Sequence, residues 1–104
     1  MRKYEAMFIF RPDLNEAERT QLFDQVKETM LKFNVKIEKA AVWAEKRPLY
    51  FELKLKGKSV KFKEGMYYLV EFESETEQIQ KMNEIYRINE NILRFLISVV
   101  EPLA

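Results

Sequence analysis

A chain of 104 residues, 47% apolar and with 14 aromatic side chains, holds material for one buried core and too little for two, so it is expected to form a single domain over residues 1–104. Eighteen basic residues against 17 acidic ones leave a net charge of +1, which excludes a global attraction to nucleic acid. The absence of cysteine and histidine excludes disulfides, thiolate chemistry, imidazole acid–base catalysis and the commonest metal ligand together.

Residues 3–11 alternate as a strand, with Tyr4, Ala6, Phe8 and Phe10 on one face and Glu5, Met7, Ile9 and Arg11 on the other, and Pro12 closes it. Asp13 followed three residues later by Glu16 predicts a helix start. Leu22, Phe23, Val26, Met30 and Phe33 then recur at helical spacing up to about Asn34. Residues 35–47 alternate again, Val35, Ile37, Lys39 and Ala41 against Lys36, Glu38, Ala40 and Val42, until Pro48 marks an edge position or a bulge.

The extended run continues over 49–55, and residues 56–64 read as a polar turn. Gly65 is expected to open the strongest strand, in which Met66, Tyr68, Val70 and Phe72 alternate with Tyr67, Leu69, Glu71 and Glu73. Ser74 and Glu77 have capping-box spacing, and Ile79, Met82, Ile85 and Tyr86 make a second helical stripe. Residues 91–100 close the pattern as a strand with Leu93, Phe95, Ile97 and Val99 as its buried set. The order βαββαβ predicts an α+β, ferredoxin-like split βαβ fold: a four-stranded antiparallel sheet with both helices on one face.

Charge is distributed unevenly along these elements. Residues 1–35 sum to zero, residues 36–63 carry nine Lys or Arg against three Glu, and residues 64–104 carry three against eight. The basic middle holds Trp43, the pair Lys46-Arg47 and the aromatic run Tyr50-Phe51, a combination suited to an anionic or protein partner. Catalysis has no support. Glu71, Glu73, Glu75 and Glu77 read as a solvated strand end and helix start, and two glycines cannot make a phosphate loop or a dinucleotide fingerprint. No cofactor, metal or small-molecule substrate is expected. No run approaches the ~20 apolar residues of a membrane span, and the apolar run after Met1 is too short for a secretory signal, so a cytoplasmic protein without a membrane partner is expected.

An RNA-recognition motif shares this topology, but its third strand must display stacking rings on the open face. Here Tyr68 and Phe72 share a face with Met66 and Val70, which reads as core, so that motif is rejected. A different likeness holds. Arg2-Lys3-Tyr4-Glu5 with Phe8-Ile9-Phe10 and Pro12, Trp43-Ala44, Lys46-Arg47, Leu49-Tyr50-Phe51 and Leu53, Gly65 with its tyrosines and Phe72, and Arg87–Arg94 occur in one order along the chain. Together they resemble the family of the sixth protein of the bacterial small ribosomal subunit. Ala44 stands where that family has glycine, Tyr50 where it has alanine, and Pro48 sits within the basic segment.

The resemblance implies a structural ribosomal component that binds the central domain of small-subunit rRNA as a heterodimer with the eighteenth small-subunit protein. By position it implies RNA contacts at Arg2, Lys3, Lys46, Arg47, Lys54, Arg87 and Arg94, and protein contacts at Trp43, Tyr50 and Phe51. Arg87 and Arg94 have Glu84 and Glu90 as alternative partners, and core packing is the commoner fate of aromatic residues such as Trp43 and Phe51. The competing reading is a ferredoxin-like protein-interaction or ligand-sensing module that acts as a homo-oligomer.

Overall fold

The elements follow the chain as β1 (Arg2–Phe10), α1 (Glu16–Lys32), β2 (Lys36–Lys54), β3 (Lys61–Ser74), α2 (Thr76–Arg87) and β4 (Ile92–Val99). The computed structural model describes residues 1–54 and 61–100, with side chains through Leu49 and from Phe62 onward. The sheet order is β2-β3-β1-β4 and every neighbouring pair is antiparallel, the ferredoxin-like arrangement expected from βαββαβ.

Both helices lie on the face formed by Tyr4, Ala6, Phe8 and Phe10 of β1 and Met66, Tyr68, Val70 and Phe72 of β3, all buried. Leu22, Val26 and Met30 of α1 and Met82 and Tyr86 of α2 complete this core. Each such fully buried side chain contributes roughly 1.5–3 kcal/mol relative to exposure. Phe8 meets the edge of Tyr86 at 5.0 Å, and Tyr68 stacks on Phe23 at 4.6 Å. The Tyr86 hydroxyl donates a 2.8 Å hydrogen bond to the Val26 carbonyl, tying α2 to α1. Burial holds the Tyr86 phenol far above its ordinary pKa and raises that of Tyr68 less.

Several boundaries differ from the expectation. The cap of α1 is Asn15, whose side chain accepts from the Glu18 backbone N–H at 2.8 Å while Glu18 accepts from the Asn15 N–H at 3.2 Å. The expected pair Asp13 and Glu16 is displaced because the Asp13 carboxylate is engaged by Arg11 through bonds of 2.7 and 2.9 Å. That contact holds Asp13 below the usual carboxylate range. Ser74 and Glu77 form no capping box: Ser74 is buried and its hydroxyl donates to the Glu75 carbonyl, and Glu75 is the N-cap without a side-chain bond. The α1 helix stops where Asn34 adopts a left-handed φ of 59°.

Bulges overturn two predicted faces. In β2 a register shift at Glu38 puts Ile37, Ala40 and Val42 opposite the core residues Phe72, Val70 and Tyr68. Lys36, Lys39 and Ala41 fall on the other face, opposite Glu73, Glu71 and Leu69. In β4 a shift between Ile9 and Phe10 places Ile92 in the core and turns Leu93 to the opposite face, against Ile9, Leu49 and Phe62. Val99, expected in the buried set, is 42% exposed. Pro48 is accommodated in β2 because that strand is an edge with irregular register on both sides of it. Residues 61–64, read as turn, already belong to β3, and Gly65 lies inside that strand; the rest of the predicted turn, residues 56–60, and residue 55 of the expected extended run lie outside the described residues.

Candidate nucleic-acid interface on the open sheet face

The helices leave the second face of the sheet uncovered, and the pairing register sorts its residues into rows. At the end near the N-terminus, Lys36, Glu73 and Lys3 lie side by side, followed by Lys39, Glu71, Glu5 and Ser98. The next row is apolar: Ala41, Leu69, Met7 and Leu96, with Leu96 66% exposed. Beyond it run Ala44, Tyr67, Ile9 and Arg94, and then Arg47 beside Gly65. The open face is thus mixed-charge at one end, apolar across the middle, and aromatic with cations at the other end.

The aromatic end is built by a bulge. Two β2 residues, Trp43 and Ala44, stand opposite Tyr67 alone, and the Trp43 ring meets Tyr67 at 5.7 Å in an edge geometry. The Arg47 guanidinium carbon lies 4.6 Å from the Trp43 ring centre and 5.7 Å from that of Tyr67. Trp43 is 55% exposed, so the commoner fate of core packing does not apply to it. Gly65 lets the layer above it close down: a Cβ there would sit 2.5 Å from Ile9 Cγ2 and 3.7 Å from Leu49 Cδ2. Arg11, at the same end, lies 5.5 Å from the Phe62 ring but is committed to Asp13, whose hydrogen bond raises the Arg11 pKa further.

The expected RNA-contact residues therefore do not form one cluster. Arg47 and Arg94 share the aromatic end of the open face, separated by Tyr67 and Ile9. Lys46 diverges from Arg47 and lines a recess with Pro12, Leu14, Arg19, Glu45 and Met66 at the start of α1. There Glu45 pairs with Arg19 at 3.4 Å. Arg2 and Lys3 are exposed at the opposite end of the sheet, beside Ser74 and Glu73. Arg87 is exposed at the last turn of α2, in the helix layer. The side chains of Lys54, Tyr50 and Phe51 lie outside the described residues. Tyr67, Leu69, Met7 and Leu96 were not singled out in the sequence, although β1 and β3 carry apolar residues on both faces, the pattern of a sheet covered on both sides.

Among the described residues no group of three or more acidic, His or Cys side chains could hold a metal ion, and no helix is long and apolar enough to cross a membrane. The fold defines a ferredoxin-like protein whose two helices cover one face of the sheet and leave the other open. The family model for ribosomal protein S6 matches residues 3–98, and the chain belongs to that family of small-subunit ribosomal proteins, which are structural components rather than enzymes. The chain is 34% identical over 97 residues to small ribosomal subunit protein bS6 of Caldanaerobacter subterraneus subsp. tengcongensis, covering 93% of this chain and 95% of that protein. It is 38% identical over 97 residues to the bS6 protein of Helicobacter acinonychis, of which it spans 63% while 93% of this chain is covered. The crystal structure of 30S ribosomal protein S6 from Thermotoga maritima superposes with a TM-score of 0.80 at 28% identity, covering 95% of this chain and 87% of that one.

Proposed function

We propose that this chain, acting as one domain in the cytoplasmic ribosome, binds the central domain of small-subunit rRNA together with the eighteenth small-subunit protein. Family membership carries this reading, and the zoning of the open face supports it. A protein with net charge +1 neutralises few phosphates, so its own affinity for RNA is low. A basic protein partner supplies the missing electrostatic term, and the row of Ala41, Leu69, Met7 and Leu96 offers that partner an apolar seat. Arg47 and Arg94 then stand beside the seat, where RNA passes. Arg2, Lys3, Lys46 and Arg87 serve as dispersed phosphate contacts that orient the complex without reading sequence.

The test is a mobility-shift titration of a central-domain rRNA fragment with this protein, with the partner, and with both. Tight binding in the mixture alone is the expected result. No shift in any lane, with both proteins folded, would overturn the reading and favour a homo-oligomeric module.

A further inference from the structure

We infer that Trp43, Arg47 and Tyr67 form a stacking site for one unpaired RNA nucleotide, with the base against the exposed indole and its phosphate at the Arg47 guanidinium. The inference rests on the rRNA-binding reading above and reassigns Trp43, expected to anchor the protein partner, to the RNA.

Three observations lead to it. First, the indole is presented and not packed: a bulge lifts Trp43 out of the strand pairing, and more than half of its surface is exposed although Tyr67 and Arg47 lean on it. A flat π-surface braced from the side accepts any base, because every base has a π-face. Second, Arg47 is held against the ring with no carboxylate partner among the described residues. The nearest carboxylate along β2, Glu45, turns away to Arg19. Third, the acidic rows of this face are far off: Glu64, next to Gly65, alternates to the other side of β3. Glu71 lies six residues along β3 from Gly65, the partner of Arg47, which is roughly 20 Å at strand rise. That exceeds the screening length of about 8 Å at physiological salt, so those carboxylates do not repel a phosphate at Arg47.

Charge decides between RNA and protein as the occupant. An apolar protein segment laid over Trp43 would strip water from Arg47 and leave a buried cation without a counter-charge, a costly arrangement. A basic protein partner would be repelled there. A nucleotide covers the ring and neutralises the guanidinium in the same step. The surrounding segment, residues 36–63 with nine basic and three acidic residues, raises the local phosphate concentration further.

The chain has one tryptophan, so a fluorotryptophan label reports on Trp43 alone even in a complex. Labelled protein is mixed first with the eighteenth small-subunit protein and then with the central-domain rRNA fragment, and the fluorine resonance is followed alongside the mobility shift. The expected result is little change with the protein partner and a large shift when RNA is added. Trp43→Ala should weaken RNA binding by the mixture about tenfold or more, Trp43→Phe should restore most of that, and neither should alter the affinity of the two proteins for each other. A resonance that moves with the protein partner alone, or a Trp43→Ala loss of equal size without RNA, would place Trp43 in the protein interface and overturn the inference. RNA binding with Trp43 unperturbed overturns it as well, while the rRNA reading stands. No RNA binding removes both.

Discussion

Gly65 shows how much a single missing side chain decides. Its hydrogen leaves room for Ile9 and Leu49 to close over β3, and with Phe62 and Leu93 they form the small apolar cluster beneath the aromatic end of the open face. Ile9 is β-branched and stiff at χ1, so the methyl 2.5 Å from the added carbon cannot swing aside cheaply. Gly65→Ala is therefore expected to destabilise by about 1–3 kcal/mol in urea unfolding. Combined with Ile9→Ala it should cost less than the sum of the two changes, because the clash is then absent. Asn15 acts at the same scale through its reciprocal cap with Glu18, and Asn15→Ala should cost about 1 kcal/mol in the same measurement. Asn15-x-x-Glu18 has the same spacing as the expected Asp13-x-x-Glu16, so spacing alone does not separate them. Arg11 does, by capturing the Asp13 carboxylate.

At the level of elements, the periodic segments were legible and the irregular ones were not. The alternation grouped Tyr4, Ala6, Phe8 and Phe10 on one face of β1 and read Met66, Tyr68, Val70 and Phe72 of β3 as core, and both sets are buried because those strands pair without interruption. A bulge inverts every side chain beyond it, and nothing local in Lys36–Val42 or Ile92–Phe95 announces one. The candidate site was half legible for the same reason. Residue types marked Trp43 and Arg47, but only the bulge at Trp43 and the second register shift between Ala44 and Arg47 bring them together with Tyr67, and that second shift turns Lys46 away. The helices are joined by the Tyr86 hydroxyl, which gives a pH signature. Tyr86 and Tyr68 have raised pKa values, so the folded state keeps protons that unfolded tyrosines release near pH 10. Stability is fully present below that pH and falls as pH rises above it. Unfolding measured as a function of pH should show that decline, and Tyr86→Phe should make it shallower while costing about 0.5–1.5 kcal/mol at neutral pH.

Across the whole molecule the open face is zoned by chemistry, apolar in the middle and aromatic-cationic at one end, and the proposed partner and RNA sites follow that zoning. Leu96→Glu should leave stability within about 0.5 kcal/mol, since the residue is 66% exposed, yet reduce affinity for the protein partner in a pairwise binding assay. RNA binding by the mixture should fall steeply with salt, and Arg47→Ala should lower that slope by about one.

The sheet order has a consequence for how the chain comes into being. β1 sits between β3 and β4, and its residue Tyr4 pairs with Phe72 on one side and Val99 on the other. Of the four strands, β1 is thus made before either of its neighbours and gains its second one only with β4. At about 5–20 residues per second, β1 waits roughly 3–14 s of synthesis for β3 and longer for β4, its backbone edges without their sheet partners until then. A protein of the ribosome thereby depends, for the pairing of β1, on a ribosome that translates through β4: chains stalled before β4 would leave one side of β1 unpaired and become substrates for chaperones and proteases.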